Sequence, residues 1–159
     1  MVFTNRITPF ITHFVAREVL EHTYSLLKES LEYEYSNTGR FAIVPTGLNG
    51  TCSCTFMFAR GKWDEPVVRF PCPDSKASIV VRCSPILYKH RNKSSNDMTN
   101  LPYRMIFAVA TFSNVLLYDT SQLAPIGMIS EIHYAAITDM SWSSDGTILS
   151  VSSNDGYCT

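Results

Sequence analysis

Hydrophobic spacing along the chain changes character once. Over residues 14–31, Phe14, Val15, Val19, Leu20, Leu27 and Leu31 recur at three- and four-residue steps, with Glu18, Glu21, Lys28 and Glu29 filling much of the space between. An apolar stripe at that period predicts an amphipathic helix, with Thr12 available to cap its start. Packing on its own domain is the ordinary use of such a stripe; docking on a partner is the alternative. After Glu32 the helical period stops. Short runs rich in β-branched and aromatic residues take over at 31–35, 41–44, 51–58, 67–70, 78–83, 105–111, 115–118, 126–132, 137–142 and 148–152. Turn formers separate them: Ser36-Asn-Thr-Gly39, Pro45-Thr-Gly47, Gly61, Pro71-Cys-Pro73, Ser84-Pro85, Ser143-Ser-Asp-Gly146 and Asn154-Asp-Gly156. Short strands with turn signals at this density predict an all-β sandwich, barrel or propeller over residues 31–159, behind a distinct N-terminal segment of residues 1–30.

A repeated unit decides among those three. Val115-Leu-Leu-Tyr-Asp119 has the form of the Trp-Asp ending of a WD repeat, with Tyr118 in the Trp place, and His133 follows fourteen residues later. Residues 137–142, ending at Trp142, then read as an innermost strand, 143–146 as a tight turn, 148–152 as the next strand and 153–156 as the next turn. Repeats of roughly 40–45 residues fold as one four-stranded blade. Two earlier, more degenerate units precede it. One runs from Ser78 through 105–111 and 115–118 to 126–132, with Phe112-Ser-Asn114 replacing the usual Asp-Gly turn; the other starts near Leu31 and runs through 67–70. The expected architecture is an all-β WD-repeat β-propeller fragment of two blades and part of a third, with the helix in front. Polar residues 89–100 read as a solvated insertion, a small basic contact for acidic or phosphate groups being the alternative.

The third unit also carries candidate chemistry. In a typical blade, a His ahead of the innermost strand bonds a buried Asp in a later turn, and a Ser or Thr and a Trp complete the network. His133, Ser152 or Ser153, and Asp155 occupy those places, with the fourth member expected beyond Thr159; Tyr118, Asp119 and Trp142 count with them as structural blade positions. Asp145-Gly146 and Asp155-Gly156 suit turns that need positive φ. Ser, His and Asp together also invite a catalytic-triad reading. No nucleophile elbow accompanies them, and their order and spacing suit a staple that fixes strand order. No enzyme activity, cofactor or metal is expected.

Composition narrows the setting more than the fold. With 45% hydrophobic, 12% aromatic and 17% charged residues, the chain has the make-up of an ordered domain. A formal net charge of −1 provides no global field toward nucleic acid or an anionic membrane, so protein partners are expected in place of direct DNA contact. The five cysteines are odd in number and include no Cys-x-x-Cys pair, which argues against a disulfide framework and for a reducing compartment. Cys52-Ser-Cys54 reads as alternation along a strand, since no further Cys/His pair completes a tetrahedral metal set. No stretch approaches the roughly 20 apolar residues of a membrane span. The N-terminus does not read as a signal peptide, so the sequons at Asn49 and Asn92 are read as chance.

A longer set of motifs points to one family. Gly-Arg-Phe-Ala-Ile-Val-Pro-Thr-Gly at 39–47, Thr-Phe-Met-Phe at 55–58, Pro-Cys-Pro at 71–73, Val-Val-Arg-Cys at 80–83, Leu-Pro-Tyr-Arg at 101–104, Ile-Phe-Ala-Val-Ala at 106–110, Val-Leu-Leu-Tyr-Asp-Thr at 115–120, Ile-His-Tyr at 132–134, Asp-Met-Ser-Trp-Ser-Ser-Asp-Gly at 139–146 and Ser-Ser-Asn-Asp-Gly-Tyr-Cys at 152–158 occur in order. Together they resemble the later blades of the WD-repeat subunit family of chromatin assembly factor 1. The resemblance covers residues 31–159 and does not extend to 1–30. It implies a nuclear, non-enzymatic scaffold that helps deposit histones H3 and H4 during DNA replication and repair. It also implies binding to the large subunit of that factor, and to a donor histone chaperone through regions absent here. A generic WD-repeat module in another complex, such as ubiquitin-ligase substrate recognition, is the alternative. The chain departs from the family in its shortness and in Asn37-Thr38-Gly39, where Pro-Asp-Gly is usual. Because a propeller protects strand edges by closing its ring, two or three blades alone are expected to be marginally stable or partner-dependent.

Overall fold

Ten strands carry the described residues of the computed structural model, which are 34–36, 38–49, 52–73, 76–90 and 98–159. The helix expected over residues 14–31 lies outside them. The strands are β1 (Glu34–Tyr35), β2 (Phe41–Asn49), β3 (Cys52–Ala59), β4 (Val68–Pro71), β5 (Ser78–Tyr88), β6 (Arg104–Thr111), β7 (Asn114–Asp119), β8 (Gly127–Ser130), β9 (Ile137–Trp142) and β10 (Leu149–Ser153). They form three antiparallel meanders: β1-β2-β3-β4, β5-β6-β7-β8 and the pair β9-β10.

Two strands run past the prolines expected to end them. β2 continues through Pro45-Thr46-Gly47, and its ladder with β3 jumps from Val44↔Phe56 to Gly47↔Cys54. β5 continues through Ser84-Pro85, with its ladder jumping from Cys83↔Phe107 to Leu87↔Met105. Proline has no N–H to give to a ladder, but a bulge places it out of register and lets pairing resume beyond it. In the opposite sense, β8 stops before the expected limit of 132. Glu131 takes φ of 59°, a left-handed conformation incompatible with an extended strand.

The middle sheet explains the apolar run of residues 105–111. β6 and β7 are buried along nearly their whole length because sheets cover both faces. Successive side chains of a strand point to opposite faces, so one strand feeds two cores. Val81, Phe107, Val109, Leu116 and Tyr118 face the first sheet and meet Phe41, Ile43, Met57, Val68 and Phe70. Val80, Ala108, Ala110 and Val115 face the third sheet and meet Ile137, Met140 and Val151. β5 touches β1 and β2 on one side and β9 on the other, so the first strands of successive sheets lie together. Residues 32–159 belong to one contact unit. Face-to-face meanders with adjoining first strands are the stacking of propeller blades. No helix among the described residues is long and apolar enough to cross a membrane.

Candidate functional site

The loops flanking the third sheet converge on Asp155. His133 lies just ahead of β9, and Asp155 lies in the turn after β10, where Gly156 takes φ of 86°. One carboxylate oxygen, Oδ2, accepts the Tyr134 N–H at 3.1 Å and meets His133 Nδ1 at 3.1 Å; Oδ1 accepts the Tyr157 N–H at 3.0 Å. Desolvation works to raise the Asp155 pKa. The Tyr157 and Tyr134 N–H bonds and the His133 contact outweigh it, so the carboxyl titrates below its ordinary range. Ser153 Oγ donates to the Ala135 carbonyl at 3.1 Å and accepts the Asp155 N–H at 3.3 Å. Asn154 N–H donates to the Ala136 carbonyl at 2.9 Å, completing the stitch between the two loops.

Ser152 belongs to a different set of contacts. Its hydroxyl pairs with Thr138 Oγ1 at 2.8 Å and lies 3.3 Å from the Asp139 carbonyl. Neighbouring residues on a strand face opposite ways, which separates Ser152 from the His133 side. The His133 side chain is almost fully enclosed, and its Nε2 has no hydrogen-bond partner. Neither serine hydroxyl bonds the imidazole, so the geometry contains no nucleophile–base pair of the triad kind.

Tyr118 and Asp119 sit one blade earlier. Tyr118 is buried at the first seam and its hydroxyl donates to the Pro71 carbonyl at 2.7 Å. Asp119 is enclosed at the end of β7, where its Oδ2 pairs with Arg104 Nη1 at 2.5 Å and its Oδ1 accepts the Ser121 N–H at 3.0 Å. Arg104 also donates from Nε to the Lys89 carbonyl at 2.9 Å and lies 5.1 Å from the centre of the Tyr88 ring. His90 Nε2 meets the Leu101 carbonyl at 2.7 Å. These contacts tie down both ends of the insertion read at 89–100. Met105 N–H donates to Thr120 Oγ1 at 3.0 Å beside them.

Trp142 does not join the His133 group. Its indole N–H donates across the second seam to the Arg82 carbonyl at 3.0 Å. Arg82 itself spans three sheets. From β5 its Nη1 pairs with Glu34 of β1 at 3.3 Å, its Nη2 pairs with Asp139 of β9 at 2.7 Å, and its Nε donates to the Met140 carbonyl at 3.1 Å. Glu34 Oε1 also accepts the Cys83 N–H at 2.8 Å. Burial raises the Glu34 pKa, and the Cys83 N–H and Arg82 only partly offset it. Burial, with Glu34 adding to it, raises the Cys83 pKa so far that the thiol stays neutral at physiological pH.

Sequence reasoning missed Glu34, Arg82, Arg104 and Asp139. One signal was present: Arg82 interrupts Ile79-Val-Val81, and a charge inside an apolar strand needs a partner. Cys54, Cys72, Cys83 and Cys158 are free thiols. Among the described residues no group of three His, Cys, Asp or Glu side chains is placed to hold a metal ion.

Stacked antiparallel meanders, joined at their first strands and stitched by a His–Asp loop contact, define a β-propeller of the WD-repeat class. Over residues 24–159 the sequence matches the family model of the CAF1B/HIR1 beta-propeller domain, and the chain belongs to that family. It is 41% identical to the CAF1B subunit of chromatin assembly factor 1 of Mus musculus over 138 residues, covering 79% of this chain and 24% of the relative. For the Gallus gallus protein of the same name, identity is 45% over 125 residues, covering 73% and 22%. For that of Saccharomyces cerevisiae it is 32% over 160 residues, covering 89% and 33%. A more distant relative, Protein HIR1 of Kluyveromyces lactis, is 29% identical over 131 residues. The chain thus spans between a fifth and a third of the length of these relatives.

Proposed function

We propose that the chain acts as a non-enzymatic scaffold in replication- and repair-coupled nucleosome assembly in the nucleus. In this reading it works beside the large subunit of chromatin assembly factor 1 and helps handle histones H3 and H4. The observation that carries it is the 41–45% identity to CAF1B subunits of chromatin assembly factor 1 over about three-quarters of the chain. The lower identity to a HIR-named relative favours the assembly-factor branch of the family. Two features of the molecule favour scaffolding over chemistry. His133 is enclosed and bonded to Asp155 with no serine beside it, and the Cys83 thiol is held neutral. His133, Ser153 and Asp155 serve as the pin between loop and turn in this proposal. Ser152, Tyr118, Asp119 and Trp142 hold strands and seams.

Affinity capture of the tagged chain from nuclear extract of replicating cells tests the proposal. Histones H3 and H4 together with the assembly-factor large subunit are the expected companions. Ubiquitin-ligase subunits in their place would establish the rival role of a generic WD-repeat adaptor. Turnover that disappears in a folded His133→Ala variant would establish an enzyme instead.

A further inference from the structure

At the turn end of β9 the first strands of the three sheets leave a pocket of about 240 Å³. Glu34, Arg82, Cys83, Trp142, Ser143 and Ser144 line it. The space suits one long side chain, since pockets for whole small-molecule ligands run to roughly 300–1,000 Å³. Its walls are held from several directions. Trp142 is tied to the Arg82 carbonyl, and the Ser143–Gly146 turn is pressed onto the bulge of β5. A Cβ added at Gly146, whose φ is 65°, would meet Ile86 Cγ1 at 2.7 Å and Ser84 Oγ at 3.0 Å.

Charge decides what such a pocket takes. Arg82 has its guanidinium engaged by Glu34, Asp139 and the Met140 carbonyl, so it is not turned toward an incoming anion. Two carboxylates around one guanidinium leave a local balance of −1, and exposed Asp145 on the adjoining turn adds to it. Glu34 is half-buried and poorly solvated, which is why its pKa stands raised; a second cation beside it would offset that desolvation. An indole wall beside a carboxylate is the pairing that attracts an ammonium or guanidinium group. We propose that this pocket receives a lysine or arginine side chain from an extended segment of a partner protein, held between Trp142 and Glu34. The site is separate from the His133 loops and does not depend on the chromatin reading.

Trp142 can report the event, because the chain has two tryptophans and Trp63→Phe leaves Trp142 as the sole indole. In that background the full chain is titrated with the capped peptides Gly-Ser-Arg-Ser-Gly, Gly-Ser-Lys-Ser-Gly and Gly-Ser-Glu-Ser-Gly while Trp emission is followed. Saturable change is expected with the first two and none with the third. Glu34→Gln should weaken binding at least about tenfold. So should Ser144→Lys, at an exposed position where a new ammonium occupies the mouth without disturbing the core. Glu131→Gln, on the strand end after β8, should leave the titration unchanged. Circular dichroism confirms that each variant keeps its sheet content. A stronger response to the glutamate peptide, absence of saturation with the cationic peptides, or unchanged affinity in both folded pocket variants would overturn the proposal.

Discussion

The two seams of the molecule are built on opposite plans. At the first seam, Phe70, Phe107 and Tyr118 form an aromatic triad, with ring centres 5.0 Å apart for Phe70–Phe107 and 5.4 Å apart for the other two pairs. Its core is large and dry. At the second seam the same strands present only Ala108, Ala110, Val80 and Val115. There the sheets are joined partly by polar crossings, from Arg82 to Asp139 and from Trp142 to the Arg82 carbonyl. One seam relies on apolar area and aromatic packing, which act without exact direction. The other relies on close approach of small side chains, with hydrogen bonds that set the relative position of the sheets. The lesson is that one strand can serve both plans, because its two faces are independent.

The contrast should be visible in stability. Phe107→Ala empties the centre of the aromatic triad and should cost about 3–5 kcal/mol in denaturant unfolding. Ala108→Leu, one residue away but facing the other seam, should cost about 1–3 kcal/mol by overpacking. Equal losses from removing bulk on both faces would erase the distinction. Arg82→Met leaves Glu34 and Asp139 without their shared cation. With Arg82 27% and Asp139 53% exposed, solvent screens part of the effect and about 2 kcal/mol is expected. A double-mutant cycle with Asp139→Asn should give a coupling below about 1 kcal/mol, because that arm is the more exposed.

His133→Ala should cost about 1–2 kcal/mol by leaving Asp155 short of a partner, with no turnover to lose. The smallest effects are in pH dependence, and they have opposite signs. Asp155 has its folded pKa below the ordinary 3.8, so its contribution is present above that value and fades as pH falls through the folded pKa. Glu34 has its folded pKa above the ordinary 4.5, so its contribution is full below that value and is lost as pH rises through the folded pKa. Unfolding midpoints across the acid range should therefore change less on acidification in Asp155→Asn. In Glu34→Gln they should lose a decline that sets in above pH 4.5. Parallel curves for both variants would contradict the assignments.

Much of the fold was legible because its signals are local. Alternation and turn residues placed the strands of the second and third units, and the Asp-Gly pairs marked turns in which Gly146 and Gly156 do take positive φ. Prolines misled at Pro45 and Pro85, since a bulge is decided by pairing with the neighbouring strand and leaves no local mark. The site was legible in part. His133 and Asp155 were named together, and the structure brings them to 3.1 Å. Ser152 and Ser153 were left as alternatives, because sequence order does not say which face of β10 turns toward the loop. Trp142 was grouped with them, yet its indole crosses to β5, a contact between residues sixty positions apart.

By itself the sequence determined the class: periodicity set the strands, turn chemistry set their connections, and the ordered motifs set the family. Those are properties of short windows, where each residue's conformational preference acts on its immediate neighbours. Which of two faces becomes aromatic seam or polar seam, and that Arg82 links three strands at once, was decided only when the sheets stacked. Stacking brings Glu34, Arg82 and Asp139 within bonding distance across long stretches of chain, and the burial that shifts Glu34 and Cys83 exists only in the packed state.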